Sequence, residues 1–363
     1  SSSAIVSGNY TTGIGSYALL VNTASGNSAF GYSALGSNIT GLYNTAVGYL
    51  AGNAQAGVTD DGNTWVGYNA GLVANGGAGN NTSTGYNTLA ALTTGQENIG
   101  IGSNSGLNVV TGSKNVSVGS SSLLFNTSSS NTAIGYAAGR ANVTGTGLTA
   151  VGYQAGRSQA GATDDNNTWI GYEAGNLANG GLGYNSALGA YALDSLTSGS
   201  YNTGVGTRSL TSMVLGDGAT AVGYDALRDN TADNNAAFGA LAGRANITGV
   251  NLTAIGYGSG KTQAGATDDD NTWVGYNTGS AANGSASGAN TGVGSGALTA
   301  LTSGASNTAV GWNAGSAITT AGGNVAIGAG ALTANSAYFT TAVGYNALRV
   351  NIAGDNNTAV GYE

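Results

Sequence analysis

A parallel β-solenoid is written into this chain by three features. The first is a motif, N-T-A-V-G-Y-x-A-(L or G), that recurs from end to end. Its glycine falls at 15, 31, 48, 67, 85, 102, 119, 135, 152, 171, 189, 206, 223, 239, 256, 275, 294, 311, 328, 344 and 361, giving 21 copies 16 to 19 residues apart. A short fixed period suits stacked coils, because each coil buries its apolar side only against its neighbours. The second feature is the absence of proline among 363 residues, so every residue keeps the N–H that a backbone ladder needs. The third is the constant register of small and branched residues against the glycine. One continuous repeat domain over 1–363 is expected, since no linker interrupts it. Twenty steps at the ~4.8 Å strand spacing predict a rod of roughly 95 Å.

Each motif position follows its own rule. Four residues before the glycine stands Asn, in 16 of 21 coils. Stacked coils bring these amides into a ladder that satisfies itself up and down the stack. Thr or Ser is common three before. The residue directly before the glycine is apolar everywhere except Thr84 and is mostly β-branched, as in a buried strand position. Side chains alternate across a strand, so Thr and Val of N-T-A-V share one face, and Ala shares the other with the glycine. The Val face is predicted to line the interior. The Ala face is then smooth and open to close approach by another backbone. Three after the glycine the residue is always small, from Ala18 to Ala347, and the next is always Leu or Gly.

The spacings carry a second period. Six coils form a super-repeat of 104 residues, 105 in the third copy, so that A-G-V-T-D-D-G-N-T-W-V-G-Y at 56–68 returns in near-copy at 160–172 and 264–276. Duplication of a six-coil block is its simplest origin. The chain opens on S-S-S-A without Met and stops inside a motif, which is expected of a piece of a longer fibre.

Composition narrows the function. Charged residues make up 7% of the chain, and the net charge of −8 disfavours nucleic acid, which wants a basic face. The eight cations look scattered singly along the sequence. No apolar run approaches the ~20 residues that span a bilayer, so no membrane insertion is expected in this segment. With no His and no Cys, a His-based triad, a thiol nucleophile and an ordinary zinc site are excluded. N-x-S/T sequons are frequent, as chance dictates in a chain this rich in Asn and Thr.

A coil of this length offers little core of its own. Tyr follows the glycine in 12 coils and Trp312 does in another. These rings reach the core, pack between chains, or lie over the coil edge of a single chain. A row of aromatic rings facing water would be an unusually large exposed patch, so a parallel homotrimer or filament is expected.

The strings N-T-A-V-G-Y-L-A-G at 44–52, N-T-A-I-G-Y-A-A-G at 131–139 and N-T-A-V-G-W-N-A-G at 307–315 resemble the repeats of phage tail-fibre and tail-fibre-like surface proteins. N-V-A-I-G-A-G-A-L at 324–332 is similar to the head repeat of trimeric autotransporter adhesins, although the coils here are longer. The resemblance covers the whole chain. It implies a β-roll with three chains side by side, an extracellular, virion or cell-surface location, and attachment to a surface glycan or receptor.

Carboxylates are the remaining chemistry. Asp60-Asp61, Asp164-Asp165 and Asp268-Asp269-Asp270 sit in the long coils, just ahead of Trp65, Trp169 and Trp273. A solvated turn accounts for them, since Asp-Asp followed by Asn or Gly is turn chemistry. A hard-cation site of oxygen ligands suits Ca2+, but no calcium-loop spacing is present. A glycosidase needs only two acids at a set separation, but three equal copies read as architecture, and no enzyme is expected. The three Trp replace the Ala two before the glycine. An outward face would make each a sugar-stacking platform and a ligand contact; otherwise each shields the base of its loop. An attachment fibre is thus the first expectation. An ice-binding solenoid and a polysaccharide-degrading fibre are the alternatives.

Overall fold

The computed structural model describes residues 9–55, 60–74, 76–159, 165–178, 183–263, 269–282 and 288–363. Two compact units, Ser1–Tyr184 and Asn185–Glu363, divide the chain. Each is a parallel β-solenoid, with no helix among the described residues. Among the described residues the first unit holds ten strands of three residues, from Thr12–Ile14 to Thr168–Ile170. The second holds eleven of the same length, from Ser186–Leu188 to Thr358–Val360. It also has the two-residue strands Ala334–Asn335 and Val350–Asn351, which pair with each other.

Register is strict in both units. Thr45, Ala46 and Val47 pair in parallel with Thr64, Trp65 and Val66 of the next coil. In the second unit Thr203, Gly204 and Val205 pair likewise with Thr220, Ala221 and Val222. The glycine that ends each strand has φ between +118° and +145°, a region that side chains rarely enter. A Cβ there would also strike the carbonyl of the next glycine in the column, as Gly31 would strike Gly48 and Gly48 would strike Gly67. Conformation and close approach together explain why this position never varies.

Two left-handed residues then turn the corner. They stand two and four after the glycine, as in Ser33 (φ 51°) and Leu35 (φ 49°). Glycine fits the second of these without strain. Leucine is tolerated there because its side chain fills the core: Leu19, Leu35, Leu193 and Leu210 are fully buried. This is the physical content of the Leu-or-Gly rule.

The strand faces are the reverse of the expectation. The middle residue of the strand is the buried one: Ala29, Ala46, Ala150, Ala221 and Ala309 are all inaccessible. Thr and Val face outward, and Val47 is 40% exposed, Phe30 38% and Ile255 42%. The lumen of so short a coil has room for a methyl group at this wall but not for two branched side chains. Apolar volume enters instead from the opposite wall, through the Leu four after the glycine and the residue seven after it.

The Asn ladder is present and buried. The backbone N–H of Asn44 donates to Asn27 Oδ1 at 2.8 Å, that of Asn63 to Asn44 Oδ1 at 2.8 Å, and that of Asn81 to Asn63 Oδ1 at 2.8 Å. Nδ2 groups of the ladder also donate to backbone carbonyls, as Asn98 does to Gly112 at 2.9 Å, or to the preceding amide, as Asn324 does to Asn307 Oδ1 at 3.1 Å. The second unit repeats the pattern at Asn307 and Asn290, 2.9 Å. Every amide thus replaces the water it loses on burial, which neutralises the desolvation cost.

The residue seven after the glycine is also buried. In successive coils it reads Asn22, Asn38, Gln55, Ala74, Leu92, Val109, then Asn126, Asn142, Gln159, Ala178. In the second unit it reads Leu196, Met213, Asn230, Asn246, Gln263, Ala282, Leu301, Ile318. Wherever Ala stands here, Trp stands in the strand of the same coil, and the large ring takes the space the small corner leaves.

Candidate functional site

The three Trp are wholly buried. Trp65 lies between Gly52 and Gly71, either of whose Cβ atoms would overlap its ring. Trp169 lies in the same way between Gly156 and Gly175, and Trp273 between Gly260 and Gly279. The stacking-platform placement is therefore corrected: these rings fill the lumen, and no face is offered to a ligand from outside. The cause is the reversed strand pleat, which carries the Ala position, and hence its Trp replacement, inward.

The described aspartates act as caps. Asp60 is buried, and its Oδ1 accepts from the backbone N–H groups of Gly77 and Ala78, both at 2.9 Å. Asp61 Oδ1 accepts from Leu42 N at 2.7 Å, Asp165 Oδ1 from Thr146 N at 2.7 Å, and Asp269 Oδ1 from Val250 N at 3.0 Å. In each of the last three the carboxylate satisfies an N–H one coil earlier, at a position six before the glycine. Ser25, Ser113 and Ser129 do the same with a hydroxyl elsewhere. Asp164 and Asp268 lie outside the described residues. Among the described residues no three acids come close enough together to hold a metal ion. A shallow surface hollow of about 370 Å3 in the second unit is lined by Ser303, Ser306, Thr320, Tyr338 and Phe339, with Ala305, Gly322 and Gly323, and has no carboxylate in its wall.

The outward sheet face is the feature that the reversed pleat creates. Val, Ile or Phe before the glycine forms one rank and Thr two residues earlier forms another. Tyr rings flank them. Tyr32, Tyr49, Tyr68 and Tyr86 stack at centroid spacings of 5.1–5.2 Å with planes within 12°. Tyr136, Tyr153 and Tyr172 form a second stack. In the other unit Tyr257 stacks on Tyr276 and Tyr345 on Tyr362. These rings are about half exposed, between 42% and 57% for all but terminal Tyr362. Of the placements open for them, the core is thereby excluded. Their faces are covered by one another, so they present edges, which suit packing against a protein better than stacking on a sugar.

Sequence reasoning missed the order in the charges, which alignment on the glycine reveals. Six of the eight cations stand five residues after it: Arg140, Arg157, Arg228, Arg244, Lys261 and Arg349. Within each unit they align on neighbouring coils, Arg140 with Arg157 in the first and Arg228, Arg244 and Lys261 in the second, and are not scattered. Around this column in the second unit, Asp225 is buried beneath Arg208, whose Nε lies 2.7 Å away, with Arg228 and Arg244 at 3.6 and 3.7 Å. Arg228 also binds Asp229 at 2.6 Å, and this hydrogen-bonded carboxylate raises the Arg228 pKa further. No protein-family model matches the chain, and no curated protein and no solved structure was found to be similar to it.

Proposed function

We propose that this chain forms the shaft of an attachment fibre, built from three parallel copies. One observation carries the proposal: the outward rank of Val, Ile and Phe runs beside stacked Tyr edges over coil after coil. Phe30, Val47, Ile134, Phe238 and Val310 are each 38–44% exposed in the isolated chain. A monomeric soluble protein rarely leaves so continuous an apolar strip open to water. A second copy of equal pitch covers it with matching ladders, since stacked coils repeat at the same ~4.8 Å in every chain. The likeness of N-T-A-V-G-Y-L-A-G at 44–52 to tail-fibre repeats, and of 324–332 to adhesin heads, supports the same assembly. On this account the fibre works outside a cell, on a virion or a cell surface, presents a glycan- or receptor-binding element, and performs no catalysis. Sedimentation equilibrium should give three times the 35.0 kDa chain mass. A stable, folded monomer at micromolar concentration would overturn the fibre.

A second use of the same face has its own support. Thr45, Thr64, Thr132, Thr149, Thr308 and Thr341 stand outward in register. Ranks of Thr and Val on a regular parallel sheet are the chemistry of an ice-binding surface. Thermal hysteresis by a monomeric chain would favour this function over the fibre.

A further inference from the structure

The charges of the second unit are sorted onto two separate columns. Arg228, Arg244 and Lys261 occupy the position five after the glycine in three consecutive coils. Their backbones are locked in register, Asp229 N to Arg244 O at 2.9 Å and Ala245 N to Lys261 O at 2.9 Å. All three side chains are partly exposed. Asp217, Asp233 and Asp269 occupy the position six before the glycine. That column is fixed too: Asp217 Oδ1 accepts from Ser200 N at 2.6 Å, and Asp233 Oδ1 from Asp217 N at 2.9 Å. Each uses one carboxylate oxygen in the cap and keeps a formal charge outside the core. Asp217 and Asp233 are exposed and Asp269 is partly so.

Within one chain the columns do not meet. Between them stands the buried corner, Asn230, Asn246 and Gln263 in these coils. Among the described residues the ion pairs are Arg208–Asp225, Arg228–Asp225, Arg228–Asp229 and Arg244–Asp225, and none joins one column to the other. Yet two of their heights match. Arg228 and Asp217 belong to the coil of Gly223, Arg244 and Asp233 to that of Gly239, and Lys261 lies one coil before Asp269. Opposite charges at equal height on different edges cannot pair internally, but they complement a neighbour aligned in parallel.

We propose that these columns are the two halves of one heterologous contact between copies of the chain, the cationic column of one copy facing the anionic column of the next. It rests on the fibre proposed above and adds how its chains choose direction and register. A contact between unlike patches closes into a ring when the rotation permits, and a threefold ring uses both columns of every chain. An antiparallel neighbour, or one slipped by several coils, loses the match. Partly exposed pairs of this kind each contribute little affinity, but they penalise wrong alignments and depend on salt.

The test is a double-mutant cycle on the full chain, read as the dissociation constant of the assembly. One variant is Arg244→Gln. The other is Asp233→Asn, which keeps a side-chain oxygen for its cap. Each substitution should weaken assembly by roughly tenfold at low ionic strength, since a threefold ring holds three copies of the pair, and combining them should weaken it little further, because either alone removes the same contact. The effects should fade in 1 M salt, where the screening length is only ~3 Å. Assembly with additive or absent effects overturns the column contact and leaves the fibre standing. A chain that stays monomeric in all four forms overturns the fibre itself. Melting curves of the monomeric fraction separate a misfolded variant from a non-assembling one.

Discussion

The strand side of a coil and the corner seven residues past its glycine both line the same lumen, yet they vary by different rules. On the strand side the buried residue is small in almost every coil, Ala, Gly or Ser. At the corner it runs through Asn, Asn, Gln, Ala, Leu and a third apolar residue before the series begins again. The strand wall carries the hydrogen-bond register, where any change is repeated in every ladder. The corner carries the volume, and volume can be traded within a coil or between neighbouring coils. Trp65 beside Ala74 is one such trade. Leu148 is another: it stands where Asn is usual, and its side chain packs over Gly139, where other coils carry Leu. Dense cores accept exchanges of this kind when the total is kept.

The comparison is broken most severely on the strand side. Gly67→Val places a β-branched residue at φ +135° and against the Gly85 carbonyl. Strain and overlap together should cost on the order of 4 kcal/mol, seen as loss of the cooperative thermal transition. A cavity comes next. Trp169→Ala empties the lumen between Gly156 and Gly175 and should lower unfolding free energy by about 3–5 kcal/mol. Trp312→Ala, at a site 63% exposed, is its control and should change a single chain by less than ~0.5 kcal/mol. Denaturant titration checks both.

Smaller effects follow in the polar ladder. Asn98→Ala leaves Asn115 N and the Gly112 carbonyl without their partners and should cost about 1–3 kcal/mol. Gln159 differs from it. Among the described residues, neither of its side-chain amide atoms has a hydrogen-bond partner although both are buried, and Gln55 and Gln263 repeat this. Gln159→Leu should therefore raise the melting temperature or leave it unchanged. A clear drop would mean that this amide is paired after all.

The stacking direction, the glycine column and the Asn ladder were all legible in the sequence, because each follows from a residue type that only one backbone environment accepts. The inside and the outside of the strand were not. Hydropathy assigns Val47 to the core over Ala46, but lumen width decides the matter, and width is a property of the closed coil. The choice left open at Trp65, Trp169 and Trp273, outward platform or shield of the loop base, turns on the same step. The aspartates were half legible: Asp61 and Asp165 do lie outside the strands, ahead of a bend, but their role as caps for Leu42 and Thr146 needs the coil before them. The cation column was open to view and overlooked, since Arg228, Arg244 and Lys261 are 16 and 17 residues apart and align only when counted from the glycine.

The reversed pleat, and the proposed cover of its outward face by other copies, can be read directly by thiol labelling, because the chain has no cysteine of its own. Ala309→Cys and Val310→Cys are adjacent and opposite in the strand Thr308–Val310. Ser83 and Ser117 already occupy the position equivalent to Ala309 in other coils, so a thiol fits there. The account predicts that Cys at 309 is labelled only on unfolding, and that Cys at 310 is protected in the assembly and labelled rapidly in the folded monomer on dilution. Rapid labelling at 309 in the folded chain with protection at 310 throughout would contradict the pleat. Labelling at 310 in the assembled protein as fast as in the monomer would contradict the covered face.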